Sequence, residues 1–237
     1  MKHRSLIFAA IFGALGLVAC DEGDIQEQQN QFQNSRKVAL LTTHISGRDS
    51  WPSQYNVVLA SFAENSNYAI SQSTLPEDIG TDLFLMTMDL ADENISTVEL
   101  CITNRLRQRV ATFLEQPLSN IQGDTLRLSA EAVNLGMFQT IQDMVFTPTC
   151  ARCHGLGNTP AAGLNLSEGK SYESLVNHVS SKEERGMRVV AGDAASSLLH
   201  KVINGDPSGV SFNHSNMIKE SSTLALIDHW INAGANP

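Results

Sequence analysis

The sequence predicts a multidomain chain, an antiparallel β-sandwich followed by a smaller all-α domain, and three observations carry that expectation. From Lys37 to about Val133 apolar residues alternate with period two. Gly, Pro, Asn and Asp punctuate these short runs, and no ten-residue helical pattern lies between them. After Val133 the apolar spacing changes to the helical period, which marks a change of architecture within one chain.

The first 36 residues stand apart from both. Lys2, His3 and Arg4 form a basic start, and Leu6 to Val18 is an apolar run too short to span a bilayer comfortably. Residues 1–19 therefore read as a signal peptide. The run ends in Leu17-Val18-Ala19-Cys20, which resembles a bacterial lipobox, the signal for attaching acyl chains to a cysteine that becomes the mature N-terminus. Several acyl chains at Cys20 would anchor the protein where one alone is marginal. An ordinary cleaved signal or an uncleaved anchor are the competing readings. Asp21 resembles the signal that retains some lipoproteins in the inner membrane, a rule that varies between bacterial groups, so inner and outer membrane both stay open. Residues 20–36 are polar and rich in Gln and Asn, with Ile25 and Phe32 the large apolar exceptions. Such a composition reads as a tether, and fifteen or so flexible residues span on the order of 20 Å.

Residues 37–133 supply six or seven strands. Val38, Leu40 and Thr42 alternate with Ala39, Leu41 and Thr43; Val57, Leu59 and Ser61 alternate with Val58, Ala60 and Phe62. Leu83 to Leu90 is apolar on both faces, Val98, Leu100 and Ile102 lie opposite Glu99 and Thr103, and Val110 to Leu114 and Leu126 to Leu128 follow. The expected architecture is immunoglobulin-like. Arg105, Arg107 and Arg109 would share one strand face, as a docking patch or simply a solvated surface. His44 has no second metal ligand at useful spacing. Cys101 reads as a buried apolar residue in a strand, or alternatively as a reactive thiol.

Residues 134–237 read as four helices. The first runs from Met137 to Phe146 and is stopped by Pro148. Tyr172 to about Ser180 buries Leu175, Val176 and Val179. A third starts after Asp193 as N-cap and presents Leu198, Leu199, Val202 and Ile203, with Gly205 past its end. The last, about Ser222 to Ala233, uses Leu224, Ile227 and Ile231 and ends at Gly234.

Between the first two helices lies Cys150-Ala151-Arg152-Cys153-His154. Cys-x-x-Cys-His is the attachment signature of haem c: two thiols add across the porphyrin vinyl groups, and the following histidine ligates the iron. A zinc site is a poor competitor, because zinc needs four ligands and the remaining cysteines, Cys20 and Cys101, are far apart in sequence. A thioredoxin-like dithiol would sit between a strand and a helix, whereas the preceding run here reads as helical. One motif implies one haem per chain.

Further matches surround it. Gly163-Leu164-Asn165-Leu166, Val190-Ala191-Gly192-Asp193 with Ser197, and Trp230-Ile231-Asn232-Ala233-Gly234-Ala235 together make residues 138–237 resemble a monohaem, class I-like cytochrome c domain of the planctomycete type. Ala191 stands where that pattern has proline, and Met217 is followed by Ile218 instead of proline. The resemblance implies an all-α cytochrome c-like fold, haem held by Cys150 and Cys153, and iron between His154 and Met217. A His/Met pair raises the reduction potential. His214, His200 and Met187 compete with Met217 for the distal position. Trp230, Leu166, Leu198 and Leu199 are expected against the haem, and His178 and His229 on the surface.

The expected function is single-electron transfer by a periplasmic, membrane-tethered c-type cytochrome that is not an enzyme. The alternative is a haem enzyme or small-ligand sensor with an open distal site. The chain has 16 basic and 25 acidic residues, a formal charge of −9; loss of Lys2 and Arg4 with the signal leaves 14 against 25, or −11. That balance argues against nucleic acid and favours basic redox proteins as donor and acceptor.

Overall fold

The computed structural model describes residues 36–155, 157, 159–181, 183–205 and 211–237. The signal peptide, Cys20 and all but the last residue of the tether lie outside them. Arg36–Pro237 forms one compact unit.

Seven strands run β1 Val38–Ser46, β2 Tyr55–Phe62, β3 Ala69–Thr74, β4 Phe84–Asp89, β5 Thr97–Asn104, β6 Arg109–Pro117 and β7 Thr125–Asn134. They form a three-stranded sheet, β4-β1-β7, and a four-stranded sheet, β3-β2-β5-β6. The period-two alternation becomes a shared core between the sheets. Ala39 and Leu41 on β1, Val57 and Leu59 on β2, Val98, Leu100 and Ile102 on β5, and Leu126 and Leu128 on β7 are all buried in one cluster. All pairings are antiparallel except β1 with β7, where Leu41 lies beside Leu128 in a parallel ladder. Parallel neighbours need a long crossover, and here the intervening strands provide it.

The other face of the four-stranded sheet buries Val58, Ala60, Phe62, Ala69 and Cys101. Glu99, two residues before Cys101 and fully buried, is held there by three donors: the Arg109 guanidinium, Thr112 Oγ1 at 2.7 Å and Thr97 Oγ1 at 3.2 Å. A buried carboxylate persists only when paired and hydrogen-bonded in this way. Arg109 also lies over the Phe62 ring, 4.7 Å from its centroid. Arg105 and Arg107 do not join it on a strand face. They occupy the turn between β5 and β6, where Arg107 has φ 61° and donates to the Ile70 carbonyl.

The expected fold class, an antiparallel sandwich followed by an all-α cytochrome c-like domain, does not hold. The described chain is mostly β, with few helices, and no all-α cytochrome c-like domain is evident. After β7 come α1 Met137–Ile141, a π-helical stretch Gln142–Cys150, α2 Ala151–His154, α3 Ser171–Leu175, α4 Leu198–Ile203 and α5 Ser221–Asn232. Only α5 has the length its periodicity suggests. The expected first helix widens at Gln142, and the π form continues through Pro148, whose missing N–H and ring cannot fit a regular α-turn. The second helix stops at Leu175. Val176 and Val179 instead form bridges with Val189 and Met187, the extended geometry that β-branched side chains prefer, and Asn177 between them has φ 52°. Asp193 does not cap a helix. Its carboxylate closes a local turn with Ser196, and the helix begins later, at Leu198.

These short pieces share a second core of Phe138, Ile141, Val145, Phe146, Leu166, Leu175, Val189, Ile227, Trp230 and Ile231. Trp51, Tyr55 and Val110 pack against both cores. The Trp51 indole N–H donates to the Leu135 carbonyl, and the Tyr55 hydroxyl and His229 Nδ1 share a hydrogen bond of 2.7 Å. His229 is therefore half-buried and partnered rather than a surface residue. Among the described residues no helix is long and apolar enough to cross a membrane.

Candidate functional site

The π-helical stretch delivers Cys150 to the start of α2, and one helical turn then carries Cys153 and His154. Cys150, Cys153 and Cys101 carry free thiols. Cys150 packs against the second core, and burial, reinforced by Cys153, pushes its thiol up to about 11. Cys153 is exposed. The pair thus has one sulfur against the core and one at the surface. Cys101 sits fully buried in β5, where burial and then Glu99 push its thiol well above the ordinary range.

Directly after His154 there is no room for a side chain. A Cβ at Gly155 would stand 2.6 Å from Ser167 Oγ and 2.9 Å from the Ala151 carbonyl oxygen. That close approach lets the segment 161–171 fold back on the motif. The Leu166 N–H donates to the His154 carbonyl, and Gln142 in the π stretch donates to the Leu166 carbonyl at 3.0 Å while accepting from Ser171.

His154 Nδ1 lies 2.9 Å from the Ala161 carbonyl oxygen. A carbonyl can only accept, so Nδ1 carries the proton and Nε2 keeps its lone pair, the tautomer a metal-ligating imidazole needs. The Leu164 N–H also donates to this carbonyl, at 3.1 Å, and the turn is tied down beside it. The Arg188 guanidinium, 6% exposed, donates to the carbonyls of Ala162 and Gly163 at 3.2 Å and of Ser174 at 2.7 Å. Burial lowers the Arg188 pKa, a cost that these carbonyl acceptors offset.

Across from His154 stands His214, with ring centroids 6.1 Å apart and planes inclined by 30°. Phe212 meets the His214 ring edge-on at 4.9 Å. Burial holds His214 below the ordinary imidazole range, with the Phe212 carbonyl opposing and His154 adding to the effect. Nδ1 of His214 is buried and meets no partner at hydrogen-bonding geometry. Met217 follows one turn later, its N–H donating to the His214 carbonyl at 2.9 Å and its side chain 41% exposed. Phe212 is 59% exposed. Bare aromatic and thioether surface beside a pair of imidazoles is the kind of patch a large apolar group covers.

The other candidate ligands are engaged or outlying. His200 Nδ1 pairs with Asp228 at 2.7 Å across α4 and α5, His178 contacts its neighbour's carbonyl at the surface, and Met187 is exposed. Trp230 is buried in the second core, 5.0 Å from the Phe138 ring, and donates to the Asn236 carbonyl. Leu166 is buried with it, while Leu198 and Leu199 are half-exposed.

The donor set fits a c-type haem: two thiols on one helical turn, an imidazole with its outer nitrogen already partnered, and a second imidazole opposite. Among the described residues no group of three or more His, Cys, Asp or Glu is placed to hold a metal ion; a haem iron asks only two donors of the protein. Sequence reasoning missed Gln142 and Arg188. The one available signal was a polar residue inside an apolar run, as in Met187-Arg188-Val189-Val190. No family model, curated protein or solved structure matches this chain.

Proposed function

We propose that this chain is a c-type cytochrome that carries one covalent haem on Cys150 and Cys153, with His154 as proximal ligand, and passes single electrons between protein partners. The observation that carries the reading is the hydrogen bond from His154 Nδ1 to the Ala161 carbonyl directly after a Cys-x-x-Cys pair. It prepares Nε2 of that imidazole for iron. When bound, the haem supplies a reversible ferric–ferrous couple.

Everything else falls to the protein. Cys150 and Cys153 would hold the haem through two thioethers, each thiol hydrogen ending on the vinyl carbon next to the new C–S bond, with no external oxidant or reductant needed. The Ala161 carbonyl would orient the proximal ring and strengthen it as a donor, with Arg188 tying the turn beside it. The buried side of the site, from Phe146 to Leu166, excludes water on one face. Exposed Cys153 and Phe212 leave the other edge open to a partner. No substrate pocket is required for this chemistry.

Acyl chains on Cys20 would hold the protein at the periplasmic side of a bacterial membrane. The acidic balance of the chain suits basic redox partners and disfavours nucleic acid.

The test uses the full chain expressed with haem maturation. Acid-acetone extraction should leave porphyrin on the protein, peptide mass analysis should place it on Cys150 and Cys153, and Cys20→Ala should release the protein from membranes with its haem retained. Extractable haem, or an unmodified peptide, sinks the reading.

A further inference from the structure

We infer that His214 is the second axial ligand, so that the iron would sit between two imidazoles, His154 and His214. This rests on the haem reading above.

Distance comes first. A first-row metal binds imidazole nitrogen at about 2.0–2.1 Å, and the ring centre lies about 1.2 Å further on, so two imidazoles on opposite sides of one metal would have centroids roughly 6.4–6.6 Å apart. The His154 and His214 centroids are 6.1 Å apart. A face-to-face stack in direct contact would bring the rings to about 3.5–4.0 Å. The rings are therefore not in face-to-face contact, and their spacing comes within about half an ångström of that of two imidazoles sharing a metal.

Hydrogen bonding comes second. His154 spends Nδ1 on Ala161, which directs the other nitrogen to the metal. His214 Nδ1 is buried and meets no partner at hydrogen-bonding geometry, and a buried polar atom left unpaired is costly in proteins. A buried ring nitrogen without a well-placed partner in the chain can take one from outside it. His200, by contrast, is committed to Asp228.

Third comes the competitor. Met217 occupies the position that the family resemblance implies for a thioether ligand, yet its side chain is 41% exposed. Met217 N–H closes a tight turn on the His214 carbonyl, so the two residues present successive corners of one turn. It is the histidine corner that faces His154. Two nitrogen donors lack the soft sulfur that favours ferrous iron, and they place the potential below that of a His/Met pair.

The experiment is visible, near-infrared and electron paramagnetic resonance spectroscopy of the haem-loaded full chain, with carbon monoxide as probe. Oxidised wild-type protein should be low-spin, show the near-infrared band of a bis-imidazole ferric haem, and lack the weak far-red sulfur-to-iron band. Reduced protein should bind little carbon monoxide. His214→Ala should open the iron to carbon monoxide, and Met217→Ala should change neither spectrum nor binding. A far-red sulfur band in the wild type, lost in Met217→Ala, overturns the assignment while the haem reading stands; a wild-type iron that binds carbon monoxide freely also overturns it. An unmodified Cys150–Cys153 peptide ends both readings together. The wild-type spectra decide the question even if His214→Ala fails to mature.

Discussion

Tyr55 concentrates more consequence than any other single side chain of the sheet half. Its ring meets Trp51 edge-on at 5.3 Å, its hydroxyl reaches His229 on α5, and burial pushes its phenol up to about 12. The folded state therefore holds the phenolic proton more tightly than the unfolded chain, where a tyrosine titrates near 10. Stability from this group is complete below about pH 10 and is lost as the pH climbs toward 12. Tyr55→Phe should lower unfolding stability by about 0.5–1.5 kcal/mol at neutral pH, the usual net value of one hydrogen bond. It should also flatten the alkaline limb. Urea titrations at pH 8 and pH 11 measure both effects. Cys101, raised in the same direction by its burial, is common to wild type and variant and drops out of the difference.

At the scale of elements, the decisive feature is how short segments are tied when no long helix ties them. The turn Ala161–Gly163 contains two residues with positive φ, Ala162 at 54° and Gly163 at 61°, and Ala is poorly suited to that region. Arg188 compensates from the Val189 segment by bonding the carbonyls of both residues. Arg188→Ala should cost about 1–3 kcal/mol, because three part-buried carbonyls lose their donor at once. The same substitution should speed amide hydrogen exchange at 163 to 166 well before it affects the strands. Arg188→Lys should rescue this only in part, since an ammonium cannot reproduce the planar fork. Unchanged exchange in Arg188→Ala would show that the turn holds itself.

At the scale of the whole molecule, the chain passes from β7 to α1 through only Leu135 and Gly136, and both cores close on Trp51 and Tyr55. Arg36–Pro237 is one compact unit. Its two halves should unfold together. Single-tryptophan variants provide the check: Trp230→Phe leaves Trp51 to report, and Trp51→Phe leaves Trp230 in the second core. With the intrinsic shift of each variant removed by far-ultraviolet circular dichroism on the same sample, fluorescence and dichroism midpoints should coincide in both. A separate, earlier fluorescence transition in the Trp51→Phe protein would mean that the second core melts alone.

What the sequence determined by itself is local chemistry and local period. Cys150, Cys153 and His154 are legible because the role proposed for them depends on spacing within five residues. The alternation through Val57 to Phe62 and Val98 to Ile102 marks the strands of the inter-sheet core, and the stripe of Leu224, Ile227 and Ile231 marks α5. The weakly apolar strand β3, Ala69–Thr74, left little pattern to read. The tertiary structure decided what depends on distant partners. Helical period around Val176 and Val179 gave way to pairing with Val189 and Met187, because β-branched side chains gain more from a cross-chain bridge than from an isolated helical turn. The parallel joining of β1 to β7 and the facing of His154 and His214, sixty residues apart, follow the same rule. Contacts between remote positions are set by which surfaces bury together, and no window along the chain contains that information.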